Sequence, residues 1–229
     1  MLLKGLQKTT LLDYPGKVAC TVFTGGCNFR CPFCHNASLV TAPNSVDTIS
    51  EESFFSFLSK RKGILDGVCV TGGEPMLMPD LEDFCQRIKD MDFAVKLDTN
   101  GSYPQRLRQM IEKGLVDYVA MDIKNSLDAY AETCGLSEFP HGVEESMDLL
   151  MQGSLPFEFR TTVVREFHTA ERIEALAKRI AGCERYFLQL FTDSGDLIES
   201  GLSAPSESMA REWLEIARKY VPNAALRGI

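Results

Sequence analysis

An α/β fold is predicted for this chain: a partial, open parallel barrel of six β/α units, in one domain spanning residues 1–229. Three observations carry the prediction. Short apolar runs alternate with amphipathic helical stretches from residue 18 to residue 220, the rhythm of parallel strands joined by right-handed crossovers with helices outside. Six such runs occur, too few to close an eight-stranded barrel. The 229 residues, 45% of them apolar, suffice for one sizeable core and show neither a low-complexity linker nor a further internal repeat.

Residues 1–17 read as an N-terminal cover segment, with a turn at Asp13 to Gly16. The first strand is predicted at 18–23, followed by a loop, 25–36, that reads G-G-C-N-F-R-C-P-F-C-H-N. Thr48-Ile49-Ser50-Glu51 fits a capping box ahead of a helix whose apolar stripe is Phe54, Phe55, Phe57, Leu58 and Leu65. The second strand covers 67–71, and its helix covers 79–91 with Pro79 in the first turn. Strand three is 94–98 and helix three is 104–113, closed by Gly114. Strand four is 118–123. Shorter helices are predicted around 127–134 and 143–151, the latter stopped by Gly153. Strand five is 157–164, followed by a helix over 170–180 ended by Gly182. Strand six is 185–190, and a last amphipathic helix, 208–220, carries Trp213.

The formal charge of -8 argues against a general nucleic-acid binder, which needs a basic face to neutralise phosphates. The Lys60-Arg61-Lys62 run reads as a solvated helix end. Neither a membrane-length apolar stretch nor a signal-peptide core is present, so a soluble cytoplasmic protein is expected, with no nucleic-acid and no membrane partner.

The chain has eight cysteines, and in such a compartment they are reduced thiols or metal ligands rather than disulfides. Cys20, Cys69, Cys85, Cys134 and Cys183 are scattered and read as buried thiols. Cys27, Cys31 and Cys34 fall in one loop just past a strand. Three thiolates there can hold three corners of a cubane iron-sulfur cluster, leaving one iron open. Other chemistry fits part of the loop. Cys31 and Cys34 form a C-x-x-C pair, Cys31 to His35 a haem-attachment string, and His35 could complete a zinc site. The dithiol and haem readings leave Cys27 idle, and His35 directly beside Cys34 suits zinc spacing poorly.

C-x-x-x-C-x-x-C with an aromatic before its last cysteine resembles the signature of radical S-adenosylmethionine (SAM) enzymes. The resemblance implies that Cys27, Cys31 and Cys34 ligate a [4Fe-4S] cluster, that SAM chelates the open iron, and that Phe33 packs near the adenine. It also implies the open barrel of the smaller members of that superfamily.

In parallel sheets, ligands gather at the carboxyl ends of the strands. Strand two runs into Thr71-Gly72-Gly73-Glu74-Pro75. Taken alone this is a turn, although its glycines permit close backbone approach and Glu74 could accept from an ammonium group. At its place after the cysteines it resembles the superfamily's segment that binds the methionine amino group, and Gly72, Gly73 and Glu74 are assigned so. Asp98-Thr99-Asn100-Gly101 and Met121-Asp122-Ile123-Lys124 can be an Asx turn and an ordinary ion pair. Together, L-D-T-N-G and M-D-I-K resemble the glycyl-radical-enzyme activases. By that match Asp98, Thr99 and Asp122 help place a monovalent cation near the methionine carboxylate, and Lys124 contacts the nucleoside or carboxylate. Arg160 resembles the activases' strand arginine, and its other reading is a structural pair. Gln189 stands where the pyruvate formate-lyase branch would carry histidine, which shifts the subfamily.

L-Q-K-T-T-L-L-D-Y-P-G-K at the start, V-P-N-A-A-L-R-G at the end and no cysteine-rich insertion after Asn36 resemble the anaerobic ribonucleoside-triphosphate reductase activating proteins. The likeness covers nearly the whole chain and implies a glycyl-radical partner enzyme and a reducing donor such as flavodoxin or ferredoxin. In that family one electron cleaves the sulfonium to methionine and a 5'-deoxyadenosyl radical, which takes a hydrogen atom from a glycine α-carbon. No side-chain general base is required, and His141 and His168 read as ordinary loop residues. Other readings are activation of a different glycyl-radical enzyme such as pyruvate formate-lyase, a small-molecule enzyme like the carboxy-deazaguanine synthases, and a zinc or haem protein.

Overall fold

The computed structural model describes residues 1–228. They form two compact units, the first made of Met1–Asn28, Ser38–Thr99 and Tyr103–Val119, the second of Phe29–Ala37, Asn100–Ser102 and the chain from Ala120 onward.

In the first unit, β1 (Leu3–Thr10) runs antiparallel to β2 (Ala19–Thr24). After the short α1 (Ala37–Thr41) and α2 (Glu51–Ser59), β3 (Gly67–Gly72) lies parallel to β2, pairing Ala19 with Gly67 and Thr24 with Gly72. After α3 (Leu81–Lys89), β4 (Ala94–Thr99) continues in parallel, with Gly67 beside Ala94 and Val70 beside Leu97. Five of the six β2 residues are buried, as a parallel strand covered on both faces requires. On α2 and α3, Phe54, Leu58, Leu81, Phe84 and Ile88 are essentially inaccessible, with the Phe54 and Phe84 rings 5.2 Å apart. Then α4 (Pro104–Glu112) leads to β5 (Tyr118–Asp122), which begins in this unit.

The end of β5 opens the second unit, followed by α5 (Tyr130–Thr133) and α6 (Gly142–Gln152). Next come β6 (Phe157–Val163), α7 (Ala170–Arg179), β7 (Tyr186–Leu190), α8 (Glu207–Arg218) and β8 (Ala225–Arg227). The strands β6, β7 and β8 pair in parallel, in chain order. Ile123 N–H donates to Arg160 C=O at 2.8 Å, which sets the residues after β5 beside the middle of β6. Trp213 is buried on α8.

The α/β class with a parallel sheet is as predicted, and the six anticipated strands occur within one or two residues of their expected limits. Two strands are additional. The cover segment contains β1, whose Gln7, Lys8 and Thr9 are exposed, and the three-residue β8 pairs alongside β7. The first long helix also starts differently: Ser50, not Thr48, is its N-cap, its hydroxyl accepting from Ser53 N–H at 3.1 Å. Thr48 instead takes the buried Lys4 ammonium at 2.8 Å. Among the described residues, no helix is long and apolar enough to cross a membrane.

Candidate functional site

Because β2, β3 and β4 are parallel and in register, their carboxyl ends form one edge of the first unit. The chain leaving β2 through Gly25 and Gly26 runs against the chain leaving β3. Gly73 N–H donates to Thr24 C=O at 3.0 Å and Glu74 N–H to Gly26 C=O at 2.8 Å. Only glycine permits that approach: a Cβ on Gly73 would lie 1.9 Å from Gly26 O, and one on Gly72, whose φ is +117°, 2.3 Å from Thr24 N. The root of the cysteine loop is thus clamped onto the Gly72-Gly73 turn.

Glu74 is completely buried. Its Oε1 accepts from Met76 N–H at 3.0 Å and from Thr99 Oγ1 at 2.9 Å. The side chain therefore ties the ends of β3 and β4 together, whereas the sequence reading aimed it at a ligand ammonium. Tyr103, absent from that reading, has its phenol pKa raised by burial and by the negative charges of Glu74 and Cys27, which places Cys27 in the same neighbourhood. Asp98 receives the ammonium of Lys96, two residues earlier on the same strand face, and the Cys69 thiol at 3.7 Å. A monovalent cation was expected at this carboxylate, and a buried lysine stands there.

The second unit holds the other half of the loop. Cys34 N–H donates to Cys31 C=O at 3.0 Å, closing a tight turn. A hydrogen bond from Cys134 lowers the Cys31 thiol pKa, burial opposes it, and the Lys124 ammonium adds to the lowering, with a net result below the ordinary value. Burial pushes Cys34 upward. Phe33 is buried, its ring 5.9 Å from Phe167. His35 packs on Phe191 at 5.6 Å, and burial lowers its pKa.

Asp122 joins two cations: Arg160 Nε donates to Oδ1 at 2.8 Å and Lys124 Nζ to Oδ2 at 3.1 Å. Burial would raise this carboxyl, but the two cations hold it below the usual range. For Lys124 burial works against the ammonium, yet Asp122 and the Cys31 and Cys134 sulfurs raise its pKa. The ordinary ion pair is present, with Asp122 at its centre, and it sets Lys124 near Cys31. Gln189 sits on β7 in register with Thr162 and Arg227.

Besides Tyr103 and Lys96, two contributors in the second unit were missed. His168, expected to be a loop residue, is buried, with Val164 N–H 3.1 Å from Nδ1 and Lys124 C=O 2.9 Å from Nε2. A neutral ring protonated on Nε2 satisfies both, and it fixes the backbone under Lys124. Cys134 abuts Cys31. Neither role has a local sequence signal, whereas the Lys96–Asp98 pair was readable from the two-residue period of a strand.

None of the eight cysteines, all described, is in a disulfide. No three His, Cys, Asp or Glu side chains among the described residues converge on a single-ion site. A cubane asks for something else, one cysteine per iron. A thiol held below its ordinary pKa beside an ammonium suits iron, which binds the thiolate, and glycine backbone without side chains suits a ligand approaching closely. The donor chemistry fits an iron-sulfur cluster with a SAM-type ligand.

The Radical SAM superfamily model matches residues 21–180. A protein of Methanocaldococcus jannaschii, provisionally named a glycyl-radical enzyme activating enzyme, is 33% identical over 100% of this chain and 96% of its own length. A second protein of that organism with the same provisional name is 27% identical over 90% of this chain and 79% of its own. Among solved structures, a domain of the pyruvate-formate lyase-activating enzyme from Bacteroides vulgatus superposes with a TM-score of 0.59 at 18% identity, over 71% of this chain and 99% of that one.

Proposed function

The chain belongs to the radical SAM superfamily, and from that premise we propose that it activates a glycyl-radical enzyme, the anaerobic ribonucleoside-triphosphate reductase. The likeness that spans the whole chain, to a relative named as an activating enzyme of this kind, carries the activase reading. The choice of reductase rests on the opening and closing sequence motifs and on Gln189.

In this reading Cys27, Cys31 and Cys34 hold a [4Fe-4S] cluster. Gly72 and Gly73 offer backbone to the methionine end of SAM, Glu74 keeps that turn in place, and Phe33 faces the adenine. Lys124 and Arg160, with Asp122 between them, receive the carboxylate or nucleoside. Asp98 and Thr99 brace the end of β4, with Lys96 supplying the positive charge expected of a monovalent cation. When bound, the cluster and SAM would supply one-electron cleavage of a C–S bond and abstraction of a hydrogen atom from a glycine α-carbon. The chain's own work is to hold the Cys31 thiol below its ordinary pKa, to orient the ligand by its charged ends, and to exclude water. A reductant of the flavodoxin or ferredoxin type would deliver the electron.

The test is anaerobic reconstitution with iron and sulfide, addition of SAM and dithionite, and incubation with the anaerobic reductase. We expect about four irons per chain, methionine and 5'-deoxyadenosine as products, and a glycyl radical signal by electron paramagnetic resonance. SAM cleavage with no radical on the reductase, but one on pyruvate formate-lyase, would reassign the partner. A radical on neither enzyme would reject the activase reading.

A further inference from the structure

We infer that Cys134, outside the cysteine loop, is a positioning residue for the metal centre: its thiol hydrogen-bonds the Cys31 sulfur and raises the electron affinity of the centre which that sulfur ligates. The inference rests on the proposed role of Cys31 as a cluster ligand. Cys134 caps the C-terminus of α5 and is wholly buried.

Backbone contacts fix its place. Cys134 N–H donates to Tyr130 C=O at 3.0 Å, and Cys134 C=O accepts from Arg30 N–H at 2.9 Å, so the turn is bonded to the residue immediately before Cys31. The next residue, Gly135, has φ +64°, and a Cβ there would lie 2.4 Å from Arg30 O. No other residue type allows the turn to seat so closely. From below, Thr133 Oγ1 donates to Ala129 C=O at 2.7 Å and accepts from Asn125 Nδ2 at 2.9 Å, and Asn125 follows Lys124. The same short turn thus braces the backbone next to Cys31 and next to Lys124. From it, the Cys134 side chain reaches the Cys31 sulfur.

Hydrogen bonds to the sulfurs of an iron-sulfur centre set its reduction potential, because they stabilise the more negative, reduced state. Exclusion of water strengthens the effect. A thiol is a weak donor, and it adds to the Lys124 charge on the same sulfur. Buried cysteine is often mere packing, and a packing role would leave the potential unmoved.

Full-length wild type, Cys134→Ala and Cys134→Ser are reconstituted anaerobically. Iron and sulfide are counted, and the cluster's midpoint potential is read without SAM by redox titration with paramagnetic resonance detection. We expect equal iron in all three, a more negative potential in the alanine variant, and a return to wild type or beyond in the serine variant, which keeps a donor. Should the alanine variant fail to hold iron, the serine variant decides: a potential at or above wild type supports the inference, and one below it overturns it. Full iron with unmoved potentials, or equal shifts in both variants, overturns the role of Cys134 and leaves the cluster reading standing. A wild-type protein that takes up no iron overturns both.

Discussion

Gly73→Ala tests whether the clamp between the two strand ends holds the cysteine loop. The new Cβ would lie 1.9 Å from Gly26 O, where contacts under 3.0 Å are essentially never found, so the two backbone segments must part by roughly 1 Å, whereas overpacking elsewhere is often absorbed by side chains. Two hydrogen bonds cross that contact, at 3.0 and 2.8 Å, each worth about 1 kcal/mol net. With an overpacking cost of about 1–3 kcal/mol added to the two bonds, a loss of about 3–5 kcal/mol follows. Gly114→Ala is the control: its φ is +67° but nothing stands within 4 Å of the added carbon, so only the left-handed backbone penalty of about 1–2 kcal/mol applies. Anaerobic urea unfolding gives both values, and iron uptake on reconstitution reports the loop. Gly73→Ala should be the less stable and should bind less iron, since Gly26 directly precedes Cys27. A Gly73→Ala protein as stable as the Gly114 control, with full iron, would refute the clamp.

Three further outcomes are expected. Asp122→Ala leaves the Lys124 and Arg160 cations facing each other; all three groups are partly exposed, so the loss should be about 1–3 kcal/mol rather than the larger cost of a fully buried pair, read by urea unfolding, and SAM binding by calorimetry should weaken. His168 has a depressed pKa because burial penalises the imidazolium. Its contribution to stability is therefore complete above the unfolded value near 6.5 and is lost as pH falls through the folded value. Between pH 7.5 and 5 the wild type should lose stability more steeply than His168→Gln, by at most about 1.4 kcal/mol per pH unit, and parallel slopes would sink the assignment. Finally, Cys27→Ala, Cys31→Ala or Cys34→Ala should each abolish SAM cleavage. Cys85→Ala and Cys183→Ala should not, since burial pushes both thiols to about 12. Full cleavage by Cys31→Ala would remove the basis of the cluster.

The buried parallel strands were legible because a strand covered on both faces must be apolar along its length. V-A-C-T-V-F, G-V-C-V-T and A-V-K-L-D each stand between breakers. Edge strands carry no such mark: β1 has no two-residue burial period and exposes Gln7, Lys8 and Thr9 in a row, and β8 is three residues whose pairing depends on β7. The cysteine spacing, the two glycines and the charged strand ends were equally plain.

What the sequence by itself determined is the chemistry on offer, namely three thiols in one loop and glycines and charges at strand ends, because these follow from residue type and from periods of two and 3.6. Only the tertiary structure decided what each group does with its neighbours. It turned Glu74 onto Thr99, set the Lys96 ammonium against Asp98, slid His168 beneath Lys124 and brought Cys134 to Cys31. Apart from the Lys96 pair, these contacts join residues far apart in the chain, and burial and charge pairing select them only once the backbone has folded.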